Sequence, residues 1–398
     1  MKKVICLILA AFVALSMAAC APKATAGTSS AATKATAAST AAAKDTTAST
    51  GSTSGSKEAK KIKIGWAPPD ITGVFKTATD YMEKAVADAK GHGLEIELIT
   101  RAATSHTSAA DQVKTIENFI QNKVDVMIVS PTEVEAIKPA LKEANDAGIP
   151  IILVNMLDGI DGIKIAQSIG FDNAQAASVC AYSMLDALGG PGVLGEGEKA
   201  TVKAGDKLDI KWWETLYKDV DVNSISGKVG MIEGIAGDYF SNERVKGFKA
   251  VTDKFPGIKI VASLAADWNR QKALKAAENI LQGNKELDVI FASSNEMGMG
   301  AASAVKNANR DVIVITEDGT PESLDLIRSG GLMAETWHGF PEWGWYGVKF
   351  GTMLALGEEV PQTYDTQPRT EYKDNADDFY PNPKLDKIDW DEIYNNAK

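Results

Sequence analysis

Along most of the chain, short apolar runs alternate with stretches whose apolar side chains recur every three or four residues. Residues 62–66 form a brief extended run, and Phe75, Ala78, Met82, Ala85 and Ala89 then fall on one helix face. Residues 95–100 alternate, and Val113, Ile116 and Ile120 mark the next helix. Residues 124–129, apolar except for Asp125, predict a buried strand. Val134, Ile137, Leu141 and Ala144 predict a helix, and 149–155 a further strand. The rhythm restarts after a break, with a helix over 174–188 and a strand over 228–233. A helix over 243–255 carries Val245, Phe248 and Val251 on one face, and a strand over 258–264 follows. Ala273, Leu274, Ala277 and Leu281 then mark a helix, 289–292 a strand, 297–309 a helix and 312–316 a strand. Near-continuous apolar strands separated by amphipathic helices predict parallel sheets covered on both faces, and right-handed crossovers make them doubly wound. The expected fold class is α/β, with two such lobes in tandem. Between them, residues 189–227 show no clear period and hold the pair Trp212-Trp213. A segment this long is either a lid-like insertion or a surface excursion with a small satellite core around the tryptophans.

The start of the chain reads as an address. Lys2 and Lys3 precede a mostly apolar run over residues 4–17, too short at roughly 1.5 Å per residue to cross a ~30 Å hydrocarbon core comfortably. It ends Leu15-Ser16-Met17-Ala18-Ala19-Cys20, which resembles a bacterial lipobox with Met17 where Leu is usual. That resemblance implies a signal peptide over 1–19, cleavage before Cys20 and lipid on its thiol. Residues 20–59 are dominated by Ala, Thr, Ser, Gly and Lys, and up to about residue 57 they lack the large apolar side chains that would offset ordering entropy. They are expected to form a disordered tether. No later stretch is apolar and long enough to span a bilayer, so the lipid is the expected anchor to the membrane.

The remaining ~340 residues suit two domains of ordinary size. The formal charge of −11 argues against nucleic acid as a partner, because phosphate binding needs clustered cations. Of three cysteines, Cys6 leaves with the signal and Cys20 carries lipid, so Cys180 stands alone and no disulfide framework is expected. Its neighbours Ala176, Ser183, Met184 and Ala187 mark it as a small buried residue rather than a nucleophile.

In open parallel sheets ligands bind beyond the carboxyl ends of the strands. Those ends carry Trp66, Pro68, Pro69 and Asp70; Ser130-Pro131-Thr132-Glu133; Asn155; Gly234-Ile235-Ala236-Gly237; Asp267-Trp268; Ser293-Ser294-Asn295; Glu317-Asp318-Gly319-Thr320-Pro321; and Trp337-His338. The order and spacing of Ser130-Pro131-Thr132, Gly148-Ile149-Pro150, Gly170-Phe171-Asp172-Asn173, Gly234–Gly237, Glu243-Arg244, Asn295-Glu296-Met297 and Glu317–Pro321 resemble the type I periplasmic sugar-binding proteins, the ribose-binding group in particular. The likeness runs from Lys61 to about Gly357. It implies two lobes joined by a three-strand hinge, a first lobe of 60–171 plus 339–368, and a second of 172–338 plus 369–398.

The same likeness implies a pocket. Phe75 and Trp268 stand where aromatic rings stack on the apolar face of a sugar. Asp318 stands for the acid that accepts bonds from ring hydroxyls, Asn155 for a residue that is often Asp, His338 for one that is often Gln, and Ser294 or Asn295 for an Asn. Asp70 either contacts ligand or caps the helix that follows, and Phe75 and His338 could each be structural. Two arginines of the ribose-binding pattern are replaced, by Met156 and by Asn242. Arg244 is expected to pair with a carboxylate at the lobe edge. Asp318, with Asp70 and Glu317, would then face little fixed positive charge, which suits many O–H donors or a cationic amine. Trp337, Trp343 and Trp345 crowd the return to the first lobe and read as core. Asp219, Asp221 and Asn223 have the first spacings of a calcium loop, but Ser224 replaces its Gly and no Glu stands at the twelfth position. No cofactor is expected beyond that weak calcium signal.

The expected function is capture of a small polyhydroxylated ligand, a sugar or polyol, by a monomeric lipoprotein on the outer face of the bacterial cytoplasmic membrane or in the periplasm. It would deliver to the permease subunits of an ABC importer. Alternatives are a ligand-sensing subunit for a membrane receptor or kinase, and a binder of an amine-like solute. An enzyme is not expected. Ser294, His338 and Asp318 could be imagined as a triad, but no Gly-x-Ser-x-Gly turn and no HExxH or Cys/His metal spacing accompanies them. A transcriptional repressor is disfavoured by the export signal and by the lack of a helix-turn-helix before the first strand.

Overall fold

Two six-stranded sheets organise the protein, seen in a computed structural model that describes residues 58–397. The expected signal peptide, Cys20 and all but the end of the tether lie outside the described residues. The elements in chain order are β1 (Lys60–Ala67), α1 (Gly73–Ala89), β2 (Leu94–Thr100), α2 (Ala109–Gln121), β3 (Val126–Val129), α3 (Val134–Asp146), β4 (Ile151–Val154) and β5 (Gln167–Gly170). There follow α4 (Asn173–Ala187), α5 (Ile210–Tyr217), β6 (Ser226–Glu233), α6 (Tyr239–Thr252), β7 (Gly257–Ala265), α7 (Arg270–Gly283), β8 (Val289–Ala292), α8 (Asn295–Asn307), β9 (Ile313–Asp318) and α9 (Pro321–Ser329). The last are β10 (Ala334–Trp337), α10 (Phe340–Ala355), β11 (Thr363–Asp365), β12 (Arg369–Tyr372) and α11 (Trp390–Asn396).

The first sheet runs β11-β5-β4-β3-β1-β2 with every pair parallel. The second runs β12-β10-β9-β8-β6-β7, with only the β10–β12 pair antiparallel. The unbroken apolar strands follow from burial on both faces. Val126, Ile128, Ile152 and Val154 pack beneath α1 and α10, while Met127, Val129, Ile151 and Leu153 pack beneath α2 and α3. The second sheet repeats this alternation: Val229, Met231 and Phe291 face α4 and α6, and Ile232, Ile290 and Ala292 face α7 and α8.

The chain passes between sheets after Gly170, after Trp337 and after Asp365. These three crossovers meet at one point. Thr366 Oγ1 donates to the Gly170 carbonyl at 3.1 Å and to the His338 carbonyl at 2.8 Å, so each passage is tied to the other two. Strands β5, β10, β11 and β12 are three or four residues long and each mixes polar with apolar residues, so neither a period nor an apolar run announces them in the sequence.

The C-terminal tail departs from its expected place in the second lobe. Ala376, Phe379 and Tyr380 do pack in the second core beside Trp337. The chain then returns to the first lobe. Asp386 receives a bond from Trp345 Nε1 and gives one to Tyr346 Oη, and Ile388, Trp390 and Ile393 enter the first core. Trp390 Nε1 donates to Asp88 Oδ2 at 2.8 Å. A buried Trp with its N–H satisfied contributes far more than the polar residues around it, so it decides where the tail lies. The tail is thus a fourth link between the lobes.

Residues 189–227 extend the second core rather than cover a cleft. Leu194, Leu208, Trp213 and Tyr217 join it, and Trp213 Nε1 donates to Thr370 Oγ1 at 2.9 Å. Asp186, on α4, gathers the loop by accepting the N–H groups of Val193 and Leu194. Burial pushes its carboxyl up to about 6 against those bonds. Neither expected alternative is met as stated: the segment is no lid, and its tryptophans join the second core itself instead of a separate satellite core. No helix among the described residues is long and apolar enough to cross a membrane.

Candidate ligand-binding cleft

The strand ends of the two sheets face each other across a cavity of about 460 Å³. Buried Gln112 organises the first-lobe side. Its amide donates to the carbonyls of Ala67 and Ser130, at the ends of β1 and β3, and its oxygen accepts from the N–H and hydroxyl of Thr132. On this frame Phe75, from the first turn of α1, lines the cleft while its ring packs toward Trp343 and His106. Asp70 lines it too. Its Oδ1 accepts from Thr72, fixing the turn into α1, and its Oδ2 lies 3.0 Å from His106 Nε2. Asp70 is therefore both a turn former and a cleft acid, although the N-cap itself is Thr72. Burial pushes its carboxyl up, but the bonds from His106 and Thr72 outweigh that and hold it below its ordinary value.

Asn155 follows β4 with φ +77°. Its main-chain oxygen accepts from Asn173, while its side-chain Oδ1 is buried without a donor. A buried acceptor left unpaired costs about 1–3 kcal/mol, so a ligand hydroxyl arriving there recovers that cost.

The second-lobe wall is built around Trp268, which has φ +57°. Its ring lies over the Gly234 backbone, where an added Cβ would meet the indole at 2.1 Å. Gly234 is thus required for the aromatic to lie flat in the cleft. Trp268 packs partly against cores of both lobes. The Arg244 guanidinium sits 5.3 Å from its ring centre, within cation–π range.

Arg244 is the main departure from the sequence reading. It is 4 % exposed and lies at the cleft floor, not at the lobe edge. Its Nε donates to Asn173 Oδ1 at 3.2 Å, and its Nη1 donates to Ser293 O at 2.5 Å and Asp318 Oδ1 at 3.0 Å. Asn242, in contrast, is exposed, donates to the Gly237 carbonyl and lies outside the cleft. Helix geometry is the reason. Phe240 and Arg244 are four residues apart and share the face that meets the cleft, whereas Asn242, two from each, points the other way. The cleft therefore holds a guanidinium, and the expectation that Asp318 faces little positive charge is corrected.

Asp318, at the end of β9, has φ +113°. It accepts from Arg244 through Oδ1 and from the Asn295 main-chain N–H at 3.0 Å through Oδ2. Burial alone would raise its carboxyl, but Arg244 first, then His338 and the Asn295 N–H, hold it below its ordinary value. Ser294 lines the cleft and caps α8 by accepting the Met297 N–H. Asn295 lines it as well, but its side chain is engaged by Thr320 and by the Glu296 N–H.

His338 is placed beneath the cleft rather than in it. It is fully buried on the second crossover, 3.9 Å from the Phe171 ring, with its nitrogens 3.1 Å from Asp318 and 3.4 Å from Glu317. In this geometry His338 does not line the cavity. Asp221 Oδ1 accepts the main-chain and side-chain N–H groups of Asn223 in a local turn. Among the described residues, no group of three or more His, Cys, Asp or Glu is placed to hold a metal ion.

Several cleft residues lie outside the strand ends that the sequence points to, among them His106, Phe240, Arg270 and Lys272. His106 follows β2, whose end was passed over among the strand ends. Phe240 and Arg270 open helices directly after strand-end turns, and Lys272 follows on the same helix. Arg270 grips Glu296 and Glu322 with paired bonds of 2.8–3.0 Å, and Lys272 pairs with Asp267. Each carboxylate lining the cleft thus has a basic partner: Asp70 with His106, Asp267 with Lys272, Glu296 with Arg270, and Asp318 with Arg244. The lobes also touch across the cleft. Tyr239 Oη donates to Asp158 Oδ2 at 2.8 Å, and Phe240 enters the first-lobe core.

Residues 64–359 match the model of the family described as "Periplasmic binding protein domain". The ribose import binding protein of Bacillus subtilis is 26 % identical over 284 residues, covering 71 % of this chain and 77 % of the relative. The xylitol-binding protein of Mycolicibacterium smegmatis is 24 % identical over 312 residues, covering 78 % and 76 %. Among solved structures, an ABC transporter periplasmic solute binding protein from Actinobacillus succinogenes with bound D-allose superposes with a TM-score of 0.66 at 25 % identity. It covers 80 % of this chain and all of that one.

Proposed function

The chain belongs to the periplasmic binding protein domain family, and from that premise we propose that it is an exported solute-binding protein that closes two lobes on a small sugar or polyol. The observation that carries this reading is the pair Phe75 and Trp268, one from each lobe, lining a single cavity with Asn155, whose buried Oδ1 lacks a donor. Aromatic faces bury the C–H side of a sugar, and fixed acceptors discriminate among hydroxyls. The relatives, named for ribose, xylitol and D-allose, support that ligand class. A cationic amine is disfavoured, because the cleft carboxylates already have basic partners and a second cation would compete with Arg244 for Asp318.

The solute is released unchanged, as family members bind and do not transform. Closure is a shift between open and closed states, driven by contacts that only the closed state offers to both lobes. The closed form then docks on the permease subunits of an ABC importer. Lipid on Cys20, supported by the sequence Leu15–Cys20, holds the protein at the outer face of the membrane. Titration calorimetry with pentoses, hexoses, polyols and amines tests the reading. At least one hydroxylated solute should bind and be recovered intact. Binding confined to amines or other non-hydroxylated compounds would overturn it.

A further inference from the structure

Behind the cleft lies a pair of acids that the binding reading does not use. The antiparallel register of β10 and β12 sets Glu335 directly opposite Glu371, and the two are 1 % and 0 % exposed. Directly opposed residues on one sheet face are close neighbours. Three of the four carboxyl oxygens, Glu335 Oε1 and both of Glu371, are buried with no donor among the described residues. The charged groups around the pair do not fill that gap. Arg369, on β12, donates to the carbonyls of Thr366 and Gln367, and Arg328, on α9, to Asp325, Asp377 and main-chain oxygens of the tail. Asp318 on β9 adds only negative charge, the Cys180 thiol on α4 is pushed up by burial and by Glu317 and Glu335 and stays neutral, and Tyr380 Oη donates elsewhere. Two carboxylates cannot both ionise in such a place, so one must hold a proton and give it to the other.

The fourth oxygen connects the pair to the cleft. Glu335 Oε2 accepts the Gly319 N–H at 3.1 Å, and Gly319 directly follows Asp318. Glu371 abuts the same residue, since a Cβ on Gly319 would lie 2.8 Å from its Oε1, and Tyr380 Oη donates to the Gly319 carbonyl at 3.4 Å. Asp318 and Gly319 both have left-handed backbones, at φ +113° and +88°. Such a turn persists only when its surroundings hold it.

We propose that Glu335 and Glu371 are a positioning pair for Asp318: Glu371 keeps its proton at neutral pH and donates it to Glu335, whose carboxylate fixes the Gly319 N–H and with it the turn that presents Asp318 to the ligand. This rests on the reading of Asp318 as a ligand contact. The electrostatics agree with the assignment of the proton. Burial and the Glu335 charge push the Glu371 carboxyl well up; burial also raises Glu335, to about 7, against bonds from Glu371, the Ser323 hydroxyl and the Gly319 N–H, so Glu335 is the member of the pair that ionises first.

The test uses the full chain. Glutamate carboxyl ¹³C shifts are followed against pH, with Gly319 amide-exchange protection and the dissociation constants of D-ribose, D-allose and xylitol. Wild type should show a protonated Glu371 at pH 7. E371Q, whose amide N–H replaces that proton, should keep Gly319 protection and sugar affinity within about twofold. E371A should lower both by about fivefold or more, the loss of one hydrogen bond. At strongly alkaline pH wild type should lose protection and E371Q should not. An ionised Glu371 at pH 7, or E371A with Gly319 protected as in wild type, would overturn the proposal. Should E371A not fold, the wild-type titration and E371Q decide. Should none of the three solutes bind, affinity is read with the hydroxylated solute that binds in the calorimetric panel; if that panel yields none the ligand reading fails, while the carboxyl shifts and Gly319 exchange still decide whether the pair exists.

Discussion

Replacing Arg244 with Met tests the cleft floor most sharply. Methionine keeps much of the buried volume and removes the guanidinium, so the change is chiefly electrostatic. The deletion takes the Arg244 bonds from Asp318 Oδ1, Asn173 Oδ1 and the Ser293 carbonyl in a site 0–5 % exposed, and leaves Asp318 the Asn295 N–H on its other oxygen. Breaking a buried charge pair from one side costs about 3–5 kcal/mol. For a folded part of about 340 residues that lowers Tm by roughly 4–7 °C. The sign of the pH dependence is a second readout. In wild type the Asp318 carboxyl lies below its ordinary value, so its contribution is present above the unfolded pKa of about 3.9 and is lost as pH falls through the folded value. In R244M the largest lowering influence is gone and burial is less opposed. Protonation then relieves an unpaired charge, and the deficit relative to wild type should narrow as pH falls from 7 toward 4. Calorimetric melts at pH 7, 5.5 and 4 measure both effects. A variant melting within 1 °C of wild type at pH 7, or a deficit that does not change with pH, would refute the placement of Arg244 against Asp318.

Other substitutions probe other parts. Trp268→Ala should weaken any hydroxylated ligand at least about 30-fold, the ~2 kcal/mol of a buried aromatic anchor, as measured by calorimetry; unchanged affinity would remove it from the site. Tyr239→Phe deletes the bond to Asp158 between the lobes, which is solvent-exposed. Affinity should fall about two- to fivefold with the unliganded Tm unaltered, and an unchanged affinity would show that this contact does not favour closure. Trp390→Ala should cost about 3–5 kcal/mol in thermal melts, because the side chain is 1 % exposed in the first core; a Tm like wild type would mean that the tail does not pack there.

The two-lobed fold could be read from the sequence because strands buried on both faces leave unbroken apolar runs, as at residues 126–129 and 289–292. The short crossover strands and the tail could not. Strands such as Ala334–Trp337 and Arg369–Tyr372 carry neither a period nor an apolar run, and what places Trp390 is a distant core rather than its neighbours. At the site, Phe75, Asp70, Asn155, Trp268, Ser294, Asn295 and Asp318 do converge on one cavity, as strand ends of parallel sheets should. The errors came from helix phase and from depth. The family likeness points to position 242, but only the start of α6 at Tyr239 fixes which side chains face inward, and that start selects Phe240 and Arg244. His338 directly follows a strand like the others, yet the tilted Phe171 ring against it and the convergence of three crossovers hold it beneath the cleft. Basic partners such as His106 and Arg270 come from separate elements, and their pairing exists only in three dimensions.

The most direct test of the central claim is a crystal structure with the tightest-binding solute from the calorimetric panel. The account predicts one sugar or polyol held between Phe75 and Trp268, with a hydroxyl donating to Asn155 Oδ1, another to Asp318, and Arg244 still beneath that carboxylate. A solute bound outside this cleft, or one that reaches neither Asn155 nor Asp318, would contradict it.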